Sequence, residues 1–141
     1  MRTTDNLIEA LMTEVEEYLL SALTCKVIKA YEAENLPVPI RKIYLSFSGE
    51  ENKVTYFTDE NAAEMEKNDI TVRINCFIPL GVPPSASQKL LEIICLYLAT
   101  NVEKIVGFTV GQTVYDSDVD AYRITARINY SSEKEVTSET N

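Results

Sequence analysis

Asp116, Asp118 and Asp120 are the one group in this 141-residue chain whose spacing suggests a metal loop. A calcium loop of the EF type needs Gly at its sixth position and a bidentate Glu at its twelfth. Counted from Asp116, those positions hold Ala121 and Arg127. The stretch therefore reads as a turn in which Asp side chains accept from nearby backbone N–H groups. The chain has no histidine, which excludes His-ligated zinc, Ser-His and Cys-His nucleophile systems and imidazole acid–base work. Cys25, Cys76 and Cys95 are widely spaced and lie among apolar neighbours. They form no C-x-x-C and read as reduced thiols filling core positions. The four glycines form no phosphate-binding loop. Gly107 and Gly111 fall inside a strand pattern and mark a bulge or a close backbone approach. Carboxylates are plentiful, but they fall on no recognisable catalytic scaffold. The expectation is a protein with no catalytic residues, no cofactor and no metal.

Two kinds of residue are better suited to contact than to chemistry. Arg73, Arg123 and Arg127 fall on exposed strand faces, where they meet acids of the same sheet by default and those of a partner otherwise. Eight tyrosines without a tryptophan favour binding surfaces, because tyrosine buries area while keeping a hydrogen-bonding tip. Tyr44, Tyr97, Tyr115 and Tyr122 are the interface candidates, with sheet and core packing as the competing reading for each.

The elements that must position these residues follow from periodicity. Thr3, Thr4 and Asp5 offer N-cap oxygens to a first helix with Ile8, Leu11, Met12, Val15, Tyr18, Leu19 and Ala22 on its apolar stripe. Glu9, Glu14, Glu16 and Glu17 cover its other side, and no Lys or Arg occurs between Asp5 and Leu23. Alternation predicts strands over 24–31 and 42–47, ended by Gly49 to Asn52, with a short run at 54–58 that can pair back as a hairpin. Residues 50–69 carry seven acids against Lys53 and Lys67 and read as a long mobile connection. The strongest strand spans 69–80. A second helix, capped by Ser85 or Ser87, runs to about Thr100. Leu90, Leu91, Ile94 and Leu98 form its core stripe, which leaves Ile93, Leu96 and Tyr97 with apolar surface to spare. A helix apolar most of the way round is buried on more than one side, and in a small domain that second side is a neighbouring subunit. Strands over 104–115 and 122–130, joined by the Asp-rich turn, pair antiparallel.

The expected fold is thus α+β: one antiparallel or mixed sheet of four to six strands, with both helices packed on one face. Residues 1–130 form a single domain, and 131–141 a disordered tail. At 15.9 kDa the chain is long enough to bury a core without staples. Thirteen basic against twenty-two acidic residues leave a net charge of −9, which argues against gripping nucleic acid through its phosphates. The start lacks a basic region followed by an apolar one, and no apolar run approaches the roughly 20 residues that span a bilayer. The expectation is a cytoplasmic chain without a membrane partner.

In this order of elements the chain resembles the tail terminator, or tail completion, proteins of long-tailed bacteriophages and prophages. The resemblance lies in the N-terminal helix leading to Cys25-Lys-Val-Ile-Lys-Ala-Tyr31 and in the proline-flanked strand from Pro39 to Phe47. It continues through the long strand from Asp69 to Pro79, the apolar helix, and the terminal hairpin from Tyr115 to Ile128. What it implies is a structural, non-catalytic virion protein. Such a protein forms a ring, commonly of six copies, that caps the tail tube and joins it to the neck or connector. It would be made in the bacterial host's cytoplasm and end in the virion tail. The competing reading is a dimeric, ferredoxin-like ligand-binding or regulatory module, whose signature is a pocket with convergent polar groups.

Overall fold

The computed structural model describes residues 3–20, 25–29, 36 and 38–136. Its elements run α1 (Thr3–Leu20), β1 (Cys25–Lys29), β2 (Ile43–Thr58), β3 (Glu64–Ile78), α2 (Pro84–Asn101), β4 (Ile105–Val110), β5 (Val114–Asp116) and β6 (Ala121–Glu135). All six strands join one mixed sheet in the order β1-β2-β3-β6-β4, with β5 also on β6. Among the described residues β1 pairs β2 in parallel and the other pairings are antiparallel.

Alternation decides which face each strand dries. Leu45 and Phe47 of β2, Ile70 to Ile78 at every second position of β3, and Ile124, Ala126 and Ile128 of β6 share one face and are fully buried or nearly so. Both helices cover that face and share its core: α1 through Leu7, Ile8, Leu11, Val15 and Leu19, α2 through Leu91, Ile94, Cys95 and Leu98. The fold is α+β with the helices on one face of the sheet. Cys76 and Cys95 lie in this core and Cys25 is half-buried beside it. Burial pushes the Cys25 thiol up to about 11 and those of Cys76 and Cys95 up to about 12.

The opposite face is closed at one end only. There Ile28, Ile40, Tyr44, Phe77 and Ala121 form a second, smaller cluster with Leu36 and Val119 against it. The rest of that face is an open polar surface.

Several elements differ from the sequence-based expectation. Residues 50–58 and 64–69 are no loop, because β2 and β3 continue as one ladder from Tyr44↔Phe77 to Thr58↔Glu64, broken by a bulge between Gly49 and Glu51. Asp59 builds the turn that joins them. Its Oδ1 accepts from the N–H groups of Asn61 and Ala63, each at 2.9 Å, and Ala62 takes the left-handed φ of 63°. Ser131 to Glu135 are no disordered tail either: they extend β6 along Asp69 to Met65 of β3, and Val136 donates to the Glu64 carbonyl at 2.8 Å. The domain therefore runs past residue 130; residues 137–141 lie outside the described residues. The α2 N-cap is Pro83, without a side-chain cap bond. Ser85 and Ser87 both lie inside the helix, past its N-cap, so neither caps it.

The strand expected over 104–115 is two collinear pieces on β6. Its register against β6 slips between Ile105 and Gly107, and the Gly111 N–H donates to the Thr125 carbonyl at 2.8 Å between the pieces. The ferredoxin-like alternative loses its topology, since that βαββαβ pattern places its first strand centrally, whereas β1 ends the order here.

Candidate functional site

Two surfaces remain once the core is accounted for: the outer side of α2 with its neighbour α1, and the open face of the sheet.

On α2 the buried residues are Ser87, Leu91, Ile94, Cys95 and Leu98. Cys95 joins the core stripe and Leu90 is only half-buried, so the helix is rotated slightly from the expected stripe. Ile93 and Leu96 point outward and are 45% and 60% exposed. Tyr97 does not join them. Its ring stacks on Tyr18 of α1, with centroids 4.4 Å apart, and its hydroxyl donates to the Glu14 carboxylate at 3.3 Å. Burial, and then the Glu14 charge, push the Tyr97 hydroxyl above its ordinary value.

The other interface candidates divide in the same way. Tyr44 is 8% exposed and belongs to the second cluster, and Tyr122 is half-buried against the main core. Tyr44 thus follows the packing alternative, whereas Tyr97 and Tyr122 pack within the subunit and stay half-buried. Tyr115 is 56% exposed; its hydroxyl donates to Asp120. Of the six candidates, only Ile93, Leu96 and Tyr115 present substantial free surface. Ile93 and Leu96 lie together on one helix, and Tyr115 is on an edge strand.

The Asp-rich turn is held by its own side chains. Asp116 accepts from the Asp118 N–H at 3.0 Å through Oδ1 and from Arg123 Nε at 3.0 Å through Oδ2. Asp120 has a left-handed φ of 50°. Both oxygens of Asp116 are thus occupied by protein donors.

The open face carries rows of polar residues across the strands. Ser48, Arg73, Arg127 and Thr109 form one row, set by the registers of β2, β3, β6 and β4. Asn75 and Thr125 sit in the next, with Arg123 donating to Thr125 and Thr125 donating to Asn75. Arg73 and Arg127 face each other directly, a like-charge pairing that a sheet disfavours. The bulge resolves it in part. The extra residue, Glu50, accepts two bonds from Arg127, at 2.7 and 3.1 Å, and lies 3.9 Å from Arg73. These guanidiniums hold the Glu50 carboxyl below its ordinary value. One carboxylate serves two arginines, and the buried atoms Arg73 Nε and Ser48 Oγ have no hydrogen-bond partner among the described residues. The same-sheet acids expected for Arg123 and Arg127 are thus Asp116 and Glu50. Residue types alone did not reveal Glu50, whose orientation comes from the bulge; Gly49 before it was the available signal.

Beyond the core, residues 49–58 are exposed. At about 3.3 Å per residue this half of β2 extends about 30 Å, with β3 and β6 alongside. Val54, Tyr56, Phe57 and Met65 give the ribbon's end an apolar character. No helix among the described residues is long and apolar enough to cross a membrane, and no group of three or more His, Cys, Asp or Glu among them is placed to hold a metal. The chain matches no known family model and no curated protein.

Proposed function

We propose that this chain is a structural subunit of a phage or prophage tail: a tail terminator that assembles as a homo-oligomeric ring, six copies in the family it resembles. The ring would cap the tail tube and join it to the neck or connector. The observation that carries the reading is the outward apolar pair Ile93 and Leu96 on a helix whose other side already closes the core. Such a pair gains most by being covered in an assembly. The projecting three-stranded ribbon, with its apolar end, supports the same reading as an arm for a second protein. So does the charge of −9: acids lining a bore repel phosphates and let DNA pass without sticking. On this reading the protein has no catalytic site and no cofactor. It is made in the host cytoplasm and ends in the virion tail.

The test is the mass of the purified chain by light scattering, with negative-stain images of the same fractions. The expected result is a closed ring with six times the 15.9 kDa of one chain. A chain that stays monomeric at high concentration, both alone and on purified tail tubes, overturns the reading.

A further inference from the structure

We propose that the arginine row on the open sheet face receives the acidic end of α1 from a second copy of this chain. It rests on the ring reading and names the contact that builds the ring.

Two surfaces carry an excess of one charge, with opposite signs. On the open face, Arg73 and Arg127 are register partners that share one carboxylate. Arg73 Nε has no hydrogen-bond partner among the described residues, and both side chains are more than a third exposed. On α1, Glu14, Glu16 and Glu17 crowd the C-terminal half, and the last turn holds no basic residue. The helix macrodipole puts its negative end there, so carboxylates at that end are disfavoured. Glu14 is occupied by Tyr97, while Glu16 and Glu17 are exposed. They line an open groove between α1 and β1, where Lys26 is the one basic residue among the described residues. Bringing the guanidiniums of one copy to the Glu16 and Glu17 carboxylates of the next relieves both surfaces. Arg is suited to the task because its planar fork meets a carboxylate through two parallel bonds.

The geometry also sets the symmetry. The arginines lie on the open face and α1 lies in the helix layer on the other, so a copy cannot offer both to the same partner by a two-fold axis. The contact is head to tail, and repeated head-to-tail contacts close into rings or run on as filaments. Ile93 and Leu96 lie in the same helix layer as Glu16 and Glu17. The carboxylates then set register beside an apolar anchor.

The experiment compares wild type with Arg73→Gln/Arg127→Gln and with Glu16→Gln/Glu17→Gln, using light scattering at low and high salt and circular dichroism to verify folding. Each variant is expected to assemble at least tenfold more weakly than wild type. Wild-type assembly is expected to weaken as salt rises. An equimolar mixture of the two variants retains one intact pairing, Arg from one and Glu from the other, and should give a 1:1 dimer. A chain carrying Arg73→Glu, Arg127→Glu, Glu16→Arg and Glu17→Arg, with Glu50→Arg to keep the pairing within the sheet, should assemble again, which separates loss of contact from loss of fold. A wild-type ring indifferent to salt and to both variants overturns this contact and leaves the ring reading standing; a monomeric wild type overturns both. Retardation of a short DNA duplex by wild type but not by Arg73→Gln/Arg127→Gln assigns the face to nucleic acid and also overturns the proposal.

Discussion

Gly107 and Gly111 occupy one interrupted strand line for different physical reasons. A Cβ on Gly111 would lie 3.2 Å from the Thr125 carbonyl oxygen, the same oxygen that accepts the Gly111 N–H. A Cβ on Gly107 would meet nothing within 4 Å, and neither glycine has a positive φ. Gly111→Ala should therefore lower stability by about 1 kcal/mol as backbone shifts to make room. Gly107→Ala should be neutral or slightly stabilising, because it narrows the unfolded ensemble. Urea midpoints of the two variants check this; equal losses would refute the distinction. The thiols give a second prediction. The folded chain keeps Cys25, Cys76 and Cys95 protonated up to about pH 11–12, whereas the unfolded chain releases those protons near 9. Their contribution is complete below pH 9 and is lost as the pH rises from there toward 12. Urea midpoints should fall across that window, and less steeply in Cys95→Ala. A midpoint unchanged from pH 8 to 11 contradicts the argument.

Among the elements, the β2–β3 hairpin departs most from expectation. Acids and polar residues over 50–69 resemble an unfixed connection when burial is the criterion, since these residues bury little. Backbone pairing holds them instead: a 16-residue strand against a 15-residue one, with β6 on the far side of β3. The local signals were present in the alternation of Val54, Tyr56 and Thr58 and in Asp59 and Asn61, which can form the turn, but the charge density outweighed them. Hydrogen exchange should show protected amides along β3 from Ile78 to Asn68, declining toward the 59–63 turn, where pairing lacks a core behind it. Exchange at the unfolded-chain rate throughout residues 50–69 would rule the ribbon out in solution.

At the scale of the whole molecule, the proposed ring would make adjacent positions on α2 separate stability from assembly. Ile94 is fully buried in the main core and Ile93 is nearly half-exposed. Ile94→Ala should cost about 2–5 kcal/mol of stability through the cavity it leaves. Ile93→Lys and Leu96→Glu should leave the melting temperature within a few degrees of wild type and abolish the proposed ring, since an unpaired charge in a contact costs several kcal/mol. Light scattering and thermal melts on the same samples read both effects. Variants that unfold rather than dissociate would place this face in the subunit's own core.

Short-range order was legible in the sequence because it depends on periodicity. The apolar stripes of α1 and α2, the alternation of β3 and β6 and the Asp-rich turn each fix a local conformation and a dry side, and from those sides follows an α+β fold with both helices on one sheet face. Register and the second cluster were not legible, because they depend on which distant strands meet. Tyr44 reads as surface from the alternation of β2 alone, yet it is buried because Ile40, Phe77 and Ala121 reach it from other parts of the chain. Arg73, Arg127 and Glu50 lie far apart in sequence. Strand order places the two arginines opposite each other, and a one-residue bulge turns the carboxylate between them. Such charge arrangements are set by pairing across the sheet, which carries no local periodic signal, so only the tertiary structure could decide them.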